Sequence, residues 1–392
     1  MITYEVKLEK IGEMTTLPDS QRLFGFLINY SKRYCSEDEI SHFVKGVREH
    51  EQKCMISSMV PTGYYPTPKE YIMQKLQKRL GENREEIEKL EKKQIDLKKE
   101  SESIIEGLIE KNSQKKKEIN ELKSQIKQIE NKFKEVAVCI NNLSTKNIYA
   151  TIKSMDFIDK DELKNLFELI KKERSVKVED LAKFEHIKKT KTFIQKFRLE
   201  DQINELPGMP NVAYSLPILS FVNKAEEIQK DFSFFVRVEK DSCLSKCLEK
   251  MKNSLNESEI PCFLGGKASS GYNEYRIYKI EEFNDSEDRE QPSASVRYLN
   301  MGALLPNFDN IDVKNSVLDI YTSDRKPFEI ENEISKVISF ITAGSVIKLR
   351  ENIIDPHKIG KSIDNSKYNP MYKDTIIFGN SYFVKLEVHD ET

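Results

Sequence analysis

The chain has 392 residues, of which 38% are hydrophobic and 33% are charged, and its formal net charge is −2. This length favours two or three domains, and the near-neutral charge excludes a basic field over the whole protein, so that contact with nucleic acid would need local patches. The longest apolar run, about eight residues, is too short to span a bilayer. We therefore predict a soluble, cytoplasmic protein with no membrane contact.

The six cysteines include no CxxC pair. Zinc sites of the structural type usually need two close pairs of ligands, so the sequence predicts no metal site, and no cofactor motif takes its place.

The first 69 residues alternate between predicted strands and helices. MITYEVKLE has the alternation of a half-buried strand. A helix is predicted over 21–32, capped by Asp19 or Ser20, and a second helix begins after Ser36, which has capping-box spacing to Glu39. A strand and an extended proline-containing segment follow.

Residues 70–185 have the composition of a charged helical insertion. Between 82 and 135 there are 14 acidic and 14 basic residues, and apolar residues recur at heptad spacing from 119 to 136. The polar run 111–117 interrupts the apolar stripe, which favours an antiparallel helical hairpin of the coiled-coil type. One continuous helix that pairs with another chain is the alternative. Further helices are predicted over 161–174 and 178–191.

The second half of the chain predicts strands with few helices. FSFFVRVE (232–239) alternates as a strand, and a helix is predicted over 242–254 and another near 331–340. The chain as a whole therefore belongs to the α+β class, with a helical insertion in its first half.

The glycine-rich segment GGKASSGY is the strongest candidate for a binding site. Its residues are Gly265, Gly266, Lys267, Ala268, Ser269, Ser270, Gly271 and Tyr272. Adjacent glycines allow a phosphate to approach the backbone, successive N–H groups form an anion nest, and a lysine adds positive charge. The serines could donate to phosphate or ribose, and the tyrosine could stack on a base. A tight hairpin turn that needs glycine explains the segment equally well.

A basic run at 183–198 is a second candidate. It holds six cations and one acid, with two phenylalanines between them. Taken alone, it also fits a solvated helix face with a buried pair of phenylalanines.

Hydrolytic chemistry has little support, because the five histidines show none of the metal-binding spacings and no nucleophile elbow occurs. His42 and His50, with Tyr30 or Lys32, form the set of residues that an RNA-cleaving alternative would use.

With these segments in view, the chain resembles the RAMP superfamily of CRISPR-associated proteins, and within it the 5′-handle-capping subunit of type III-A (Csm) complexes. PDSQRLFG, SSMVP with YPTPK, KKTK and AGSV resemble family segments in the same order along the chain. The segment GGKASSGY resembles the most specific family motif, although Asn273 and Glu274 follow where the family has Phe-Gly. The resemblance covers roughly 1–69 and 186–392.

The resemblance implies two ferredoxin-like (RRM-like) folds. The first would comprise 1–69 with 186–240, the second 241–392, and 70–185 would be the helical insertion. It implies a non-catalytic subunit in antiviral defence that binds the 5′ handle of the guide (crRNA) and docks the large polymerase/cyclase subunit and a backbone subunit. A guide-processing endoribonuclease and a coiled-coil adaptor remain alternatives.

The residues expected to contact RNA combine the glycine-rich loop with the other resembling segments. They are Gly265, Gly266, Lys267, Ser269, Ser270, Gly271, Tyr272, Arg22, Ser57, Ser58, Lys188, Lys189 and Lys191.

Overall fold

The structure is a computed structural model that describes residues 1–106, 120–132, 134, 146–171, 184–195, 212–223, 227–282, 296–325, 336–351, 353, 355–365 and 375–386. Over these ranges helices and antiparallel strands mix along the chain, so the predicted α+β class is confirmed. No helix in the described ranges is both long enough and apolar enough to cross a membrane.

The elements are numbered in chain order. The helices are α1 (Ser20–Ser31), α2 (Glu37–Glu49), α3 (Lys69–Glu106), α4 (120–132), α5 (Lys146–Ser154), α6 (Lys160–Lys171) and α7 (Cys243–Ser254). The strands are β1 (Ile2–Lys10), β2 (Cys54–Ile56), β3 (Val60–Pro61), β4 (Tyr64–Pro66), β5 (Phe157–Asp159), β6 (Phe184–Gln195), β7 (Val212–Asn223), β8 (Asp231–Val238), β9 (Ile260–Phe263), β10 (Glu274–Glu282), β11 (Arg297–Asn300), β12 (Ile320–Arg325), β13 (Lys336–Ile341), β14 (Val346–Lys348), β15 (Ile363–Asp364), β16 (Ile376–Ile377) and β17 (Phe383–Leu386).

The chain divides into two compact units. The first comprises Met1–Glu70, Asp156–Lys160 and Lys183–Thr392, and the second comprises Tyr71–Met155 and Asp161–Ala182.

The main sheet of the first unit is antiparallel, with strand order β2-β8-β1-β10-β9 and with β3 also paired to β8. Alternation in β1 buries Tyr4, Val6 and Leu8 completely, as the sequence predicts. Phe232 and Phe234 of β8 are buried as completely, and together these side chains form the centre of the core.

Helices α1, α2 and α7 pack against this sheet and share its core. Both predicted N-terminal caps in the first 69 residues are confirmed: Asp19 accepts from the Arg22 N–H, and Ser36 and Glu39 form a complete capping box. Ser242 caps α7 in the same way. These caps fix where the helices begin, and therefore where the loops before them must run.

Strands β9 and β10, which follow the predicted domain boundary at 240/241, belong to the same sheet as β1. Strand β10 pairs with β1 over seven residue pairs, and β9 pairs with β10. The glycine-rich loop lies between β9 and β10, so it belongs to the sheet of the first strand. The sequence does not reveal this long-range pairing, because strands 270 residues apart leave no local signal of their partnership.

Two predicted helices are wrong where the structure describes them. Residues 184–191 lie in β6, which pairs with β7 over twelve residue pairs, and residues 336–340 lie in β13, which pairs with β12. In both segments the pairing with a neighbouring strand overrides the local preference for helix. Strand formation depends on the partner strand more than on the intrinsic propensity of the residues.

Strands β4 and β5 of the first unit pair as a two-stranded ladder, here called the clamp. They lie next to the positions where the chain leaves the first unit, after Glu70, and returns to it, at Asp156. Tyr65 lies opposite Ile158 in this clamp. Next to it, the Thr67 N–H donates to the Asp156 carbonyl at 3.0 Å, and Lys69 forms an ion pair with Asp156 at 2.6 Å. The two chain crossings are therefore held side by side.

The second unit contains α3 and α4. Gln94 donates to Glu130 at 3.2 Å, and Lys132 forms an ion pair with Glu86 at 2.7 Å. The residue number rises in one helix as it falls in the other, which is the order that an antiparallel pair requires. Leu122 of the predicted heptad stripe is buried. The predicted tip at 111–117 lies outside the described residues, and coiled-coil packing remains a prediction.

Candidate RNA-binding site

The glycine-rich loop is a compact turn between β9 and β10. Residues Ala268–Ser270 form one turn of 3₁₀-helix, flanked by left-handed backbone at Lys267 (φ 64°) and Gly271 (φ 76°). Gly266, Lys267, Ser269, Ser270 and Gly271 are exposed, whereas Tyr272 is half-buried. The loop therefore presents backbone and short side chains to solvent.

Two carbonyl groups of this loop accept hydrogen bonds from within it. The Lys267 carbonyl accepts from the N–H groups of Ser270 (3.0 Å) and Tyr272 (3.3 Å), and the Ala268 carbonyl accepts from the Gly271 N–H (2.9 Å). Among the described residues, none accepts from the N–H of Gly266, Ala268 or Ser269. N–H groups left available in a tight turn can form a backbone anion site.

Asn273 closes the loop and is completely buried. Its side-chain nitrogen donates to the Gly266 carbonyl (2.8 Å) and to the Thr15 hydroxyl (2.9 Å), and its side-chain oxygen accepts from the Thr15 N–H (2.9 Å). Its φ of 56° is a conformation that asparagine tolerates better than most residues. We did not single out Asn273 as a site residue from the sequence, although an asparagine directly after a glycine turn is a recognisable turn signal.

The glycines of this region have different roles. A Cβ on Gly265 would lie 2.7 Å from the Asn273 side chain, and one on Gly12 would lie 2.4 Å from the Gly271 carbonyl oxygen. These two glycines are needed for packing. A Cβ on Gly266 would have no atom within 4 Å and would meet no backbone strain, so Gly266 is open toward a ligand.

Residues 12–16, here called the connector loop, link the glycine-rich loop to the basic strand β6. The Glu13 carbonyl accepts from the Asn273 N–H at 2.8 Å, and the Glu13 carboxylate accepts from Lys191 Nζ at 2.6 Å. The hydrogen bond to Glu13 is the main cause of a raised Lys191 pKa, and Tyr272 contributes to the rise. Lys191 is thus held beside the glycine-rich loop, although the two are about 75 residues apart in the sequence.

The other predicted lysines of β6 differ in placement. Lys189 is exposed and lies two residues from Lys191, so both project from the same face of the strand. Lys188 lies opposite Leu219 in the ladder. The basic residues at 183, 196 and 198 lie outside the described residues.

Arg22 joins the same neighbourhood through the connector loop. It is exposed on the first turn of α1 and donates from Nη1 to the Thr16 hydroxyl. Because Thr15 bonds Asn273 and Thr16 bonds Arg22, three sequence-distant segments of the predicted set meet at one five-residue loop.

The two predicted serines of SSMVP have separate roles. Ser57 is fully buried, and its hydroxyl accepts from the Phe235 N–H at 2.8 Å and donates to the Ser58 carbonyl. The Ser57 hydroxyl group is thus used to join the end of β2 to β8, and the RNA contact of Ser57 stays a prediction. Ser58 is half-buried and lines a cleft together with Arg22.

The residues of the ribonuclease alternative are engaged elsewhere. The Tyr30 hydroxyl accepts from Arg33 (3.2 Å), and burial is the main cause of its raised pKa. The His50 ring lies edge-on to His357, with centroids 6.0 Å apart. Across the described ranges, no group of three or more His, Cys, Asp or Glu side chains is arranged to hold a metal ion.

Comparisons with known proteins give structural similarity at low sequence identity. No family model matches the chain, and no curated protein matches it. Similar solved structures include the crystal structure of the Csm1-Csm4 cassette in complex with cA4, at 13% identity and a TM-score of 0.45. The cassette in complex with AMPPNP gives 12% and 0.44, and with cA3 11% and 0.43. Each match covers 99% of this chain and 99% of the other. TM-scores below 0.5 do not establish a common fold, so these similarities do not assign a function to this chain.

Proposed function

We propose that this protein is the RNA-binding structural subunit of a type III-A CRISPR (Csm) interference complex, and that its glycine-rich loop grips the repeat-derived 5′ handle of the guide RNA. The observation that carries the proposal is the loop itself: the carbonyl groups of Lys267 and Ala268 accept hydrogen bonds from within the loop, while the N–H groups of Gly266, Ala268 and Ser269 have no acceptor among the described residues. Lys267 and Lys191 add positive charge beside them. Successive free amides with a nearby cation suit a phosphate.

The order of the strands in the main sheet supports a first ferredoxin-like fold in this protein. Strands β2, β8, β1 and β10 are adjacent and antiparallel, with helices between β1 and β2 and between β8 and β10. This is the strand order of an RRM-like sheet. The second ferredoxin-like fold and the coiled-coil character of the insertion are parts of the proposal that rest on the resemblance.

The proposed partners follow from the same resemblance. They are the guide 5′ handle, the large polymerase/cyclase subunit and a backbone subunit. The helical insertion would act as an arm that binds a protein, since its acidic and basic residues balance and neither sign would favour RNA.

The subunit is proposed to be non-catalytic. The buried Tyr30, held by Arg33, is poorly suited to proton transfer. A metal-free cleavage assay on repeat RNA tests this point: cleavage that is lost in His42→Ala or His50→Ala would support the endoribonuclease instead.

The central test is a substitution of Gly266. In Gly266→Val the added side chain meets no protein atom near its Cβ, so the protein should fold, but it would occupy the space through which a phosphate reaches the amides. Gly81→Val is the matched control, because Gly81 is also exposed and has open space around it, on α3. The tagged chains would be purified from cells that express the guide, and the co-purified RNA would be sequenced and quantified.

We expect Gly266→Val to lose the guide while Gly81→Val retains it. Lys267→Gly should keep the left-handed turn, remove the charge and reduce the salt dependence of RNA binding by about 0.7 in log-log slope. Full guide retention in folded Gly266→Val would contradict the phosphate contact.

A further inference from the structure

A cleft lies in the first unit between the start of α1 and the hairpin formed by β12 and β13. Its volume is about 470 Å³. The residues that line it include Asp19, Gln21, Arg22, Ser58, Tyr321 and Phe340. Two of the resembling sequence segments, PDSQR and SSMVP, therefore line one space together with a hairpin that the sequence analysis did not connect to them.

The hairpin contributes an aromatic wall. Tyr321 is 59% exposed, which is unusual for a large ring in a described strand, and it lies directly opposite Phe340, which is 3% exposed. Side chains of directly opposed residues project to the same face of a two-stranded ladder. The Tyr321 ring is therefore exposed, while Phe340, its partner on the neighbouring strand, is packed in a buried cluster.

The remaining walls carry hydrogen-bonding groups of both kinds. Arg22 offers donors, Asp19 carries a carboxylate whose Oδ1 already caps α1, and Gln21 and Ser58 add an amide and a hydroxyl. A carboxylate in the cleft disfavours a phosphate. A neutral ring with donors and acceptors on its edge, such as a nucleobase, fits this combination, because bases of single-stranded RNA stack on aromatic side chains and are recognised along their edges.

The cleft adjoins the proposed phosphate site through the connector loop. Thr16 bonds Arg22, a wall of the cleft, and Thr15 bonds Asn273, the base of the glycine-rich loop. The connector loop thus contacts both a wall of the cleft and the base of the glycine-rich loop, so a strand of RNA whose phosphate lies on that loop would have this cleft in its neighbourhood.

We propose that the cleft binds one unpaired nucleobase of the RNA, stacked on Tyr321 with its edge toward Arg22 and Gln21. This inference rests on the proposed function, since it takes the RNA to be present on the glycine-rich loop. It adds a base-binding site that depends on the hairpin, whereas the loop contacts only the backbone of the RNA.

The test uses the full chain and handle RNA in which each base in turn is replaced by 2-aminopurine, a base whose fluorescence is quenched by stacking. Tyr321→Ala should weaken binding about 10-fold, which is typical for loss of one base–aromatic stack. Tyr321→Phe retains the ring and should bind as the unaltered chain does. Tyr34→Ala is the matched control, because Tyr34 is also exposed (41%) but lies outside the cleft.

We expect one 2-aminopurine position to lose its quenching in Tyr321→Ala and to keep it in Tyr321→Phe, an effect that a purely structural role would not produce. Unchanged affinity and quenching in Tyr321→Ala would overturn the proposal that the cleft binds a base. If Gly266→Val still loses RNA in the same assay, the proposed phosphate contact of the glycine-rich loop would remain. An equal loss in Tyr34→Ala would also overturn the proposal that the cleft binds a base. Failure of the unaltered chain to bind handle RNA would overturn the proposed function together with this inference.

Discussion

The side chain of Asn273 bonds Gly266 on one side and Thr15 on the other, at 2.8 and 2.9 Å. One buried amide thus ties the glycine-rich loop to the loop that precedes α1. Asn273, one of the two residues at which the sequence departs from the resembling motif, therefore links two loops of the predicted site.

Replacing Asn273 should loosen the loop. Asn273→Ala removes the side-chain hydrogen bonds to Thr15 and Gly266. It also leaves alanine in the left-handed conformation (φ 56°), which alanine tolerates less well than asparagine does. We therefore expect the free energy of unfolding to fall by about 2–4 kcal/mol. Asn273→Gly accepts this backbone conformation and should lose about 1 kcal/mol less. Urea titration followed by circular dichroism measures both. Equal stability of Asn273→Ala and the unaltered chain would contradict the role of the amide.

Glu13 and Lys191 should change RNA binding in opposite directions. Lys191→Ala removes a cation from the site, whereas Glu13→Gln removes a carboxylate that repels phosphate and releases Lys191 from its ion pair. We expect weaker binding with a salt slope reduced by about 0.7 in the first variant, and tighter binding in the second. Lys250→Ala, an exposed lysine on α7, is the control. Changes of the same sign in both variants would refute the arrangement.

The helical arm should be dispensable for the body. Its acidic and basic residues balance, α3 and α4 contact each other through pairs such as Gln94 with Glu130, and a narrow apolar stripe would bury little against the body. Deleting 84–136 and joining the ends with a short Gly/Ser linker should leave a protein that folds and binds RNA, measured by circular dichroism and filter binding. Aggregation would mean that the arm packs into the body. RNA loss from a folded deletion variant would assign the arm to RNA.

His357 should make stability depend on pH. It is 3% exposed, and burial is the main cause of a pKa lowered to about 4, with Asp355 opposing and His50 and Lys53 adding to the effect. The unfolded chain binds a proton at this histidine from its ordinary pKa of 6.5 downward, but the folded chain does not do so until about pH 4. Stability should therefore fall as the pH is lowered through this window, by at most about 1.4 kcal/mol per pH unit.

The pH effect is tested by urea titration between pH 7 and 4. His357→Leu cannot titrate and should have a flatter profile over this range. His42→Gln, at an exposed position of α2, is the control and should retain the slope. An identical slope in His357→Leu would assign the pH dependence to other groups.

The sequence predicts the local features of the fold well and the long-range ones poorly. The alternation of β1, the caps at Asp19 and Ser36 and the helix α7 follow from residues a few positions apart, and the structure confirms them. The pairing of β10 with β1 and the strand character of β6 depend on partners far along the chain. No local periodicity contains that information, which explains why the sequence does not reveal these pairings and why two predicted helices are strands.

The candidate site was predicted only in part for the same reason. The glycines and lysines were recognisable by type, because phosphate chemistry needs them. Their supports, Thr15 and Asn273, carry no such chemistry and become visible only when the two loops meet. The sequence likewise does not reveal that the Ser57 hydroxyl group accepts a hydrogen bond from the Phe235 N–H.

The clamp of β4 and β5 has a consequence for how this chain can diversify. Because the two crossings are held together by strand pairing and by the Lys69–Asp156 ion pair, the body does not depend on the length of the segment between them. Each doubling of such a segment adds only about 0.6 kcal/mol of closure entropy if it is unstructured. Relatives of this protein could therefore gain, lose or exchange whole arms at this point through single insertion or deletion events, with selection acting on the arm separately from the body.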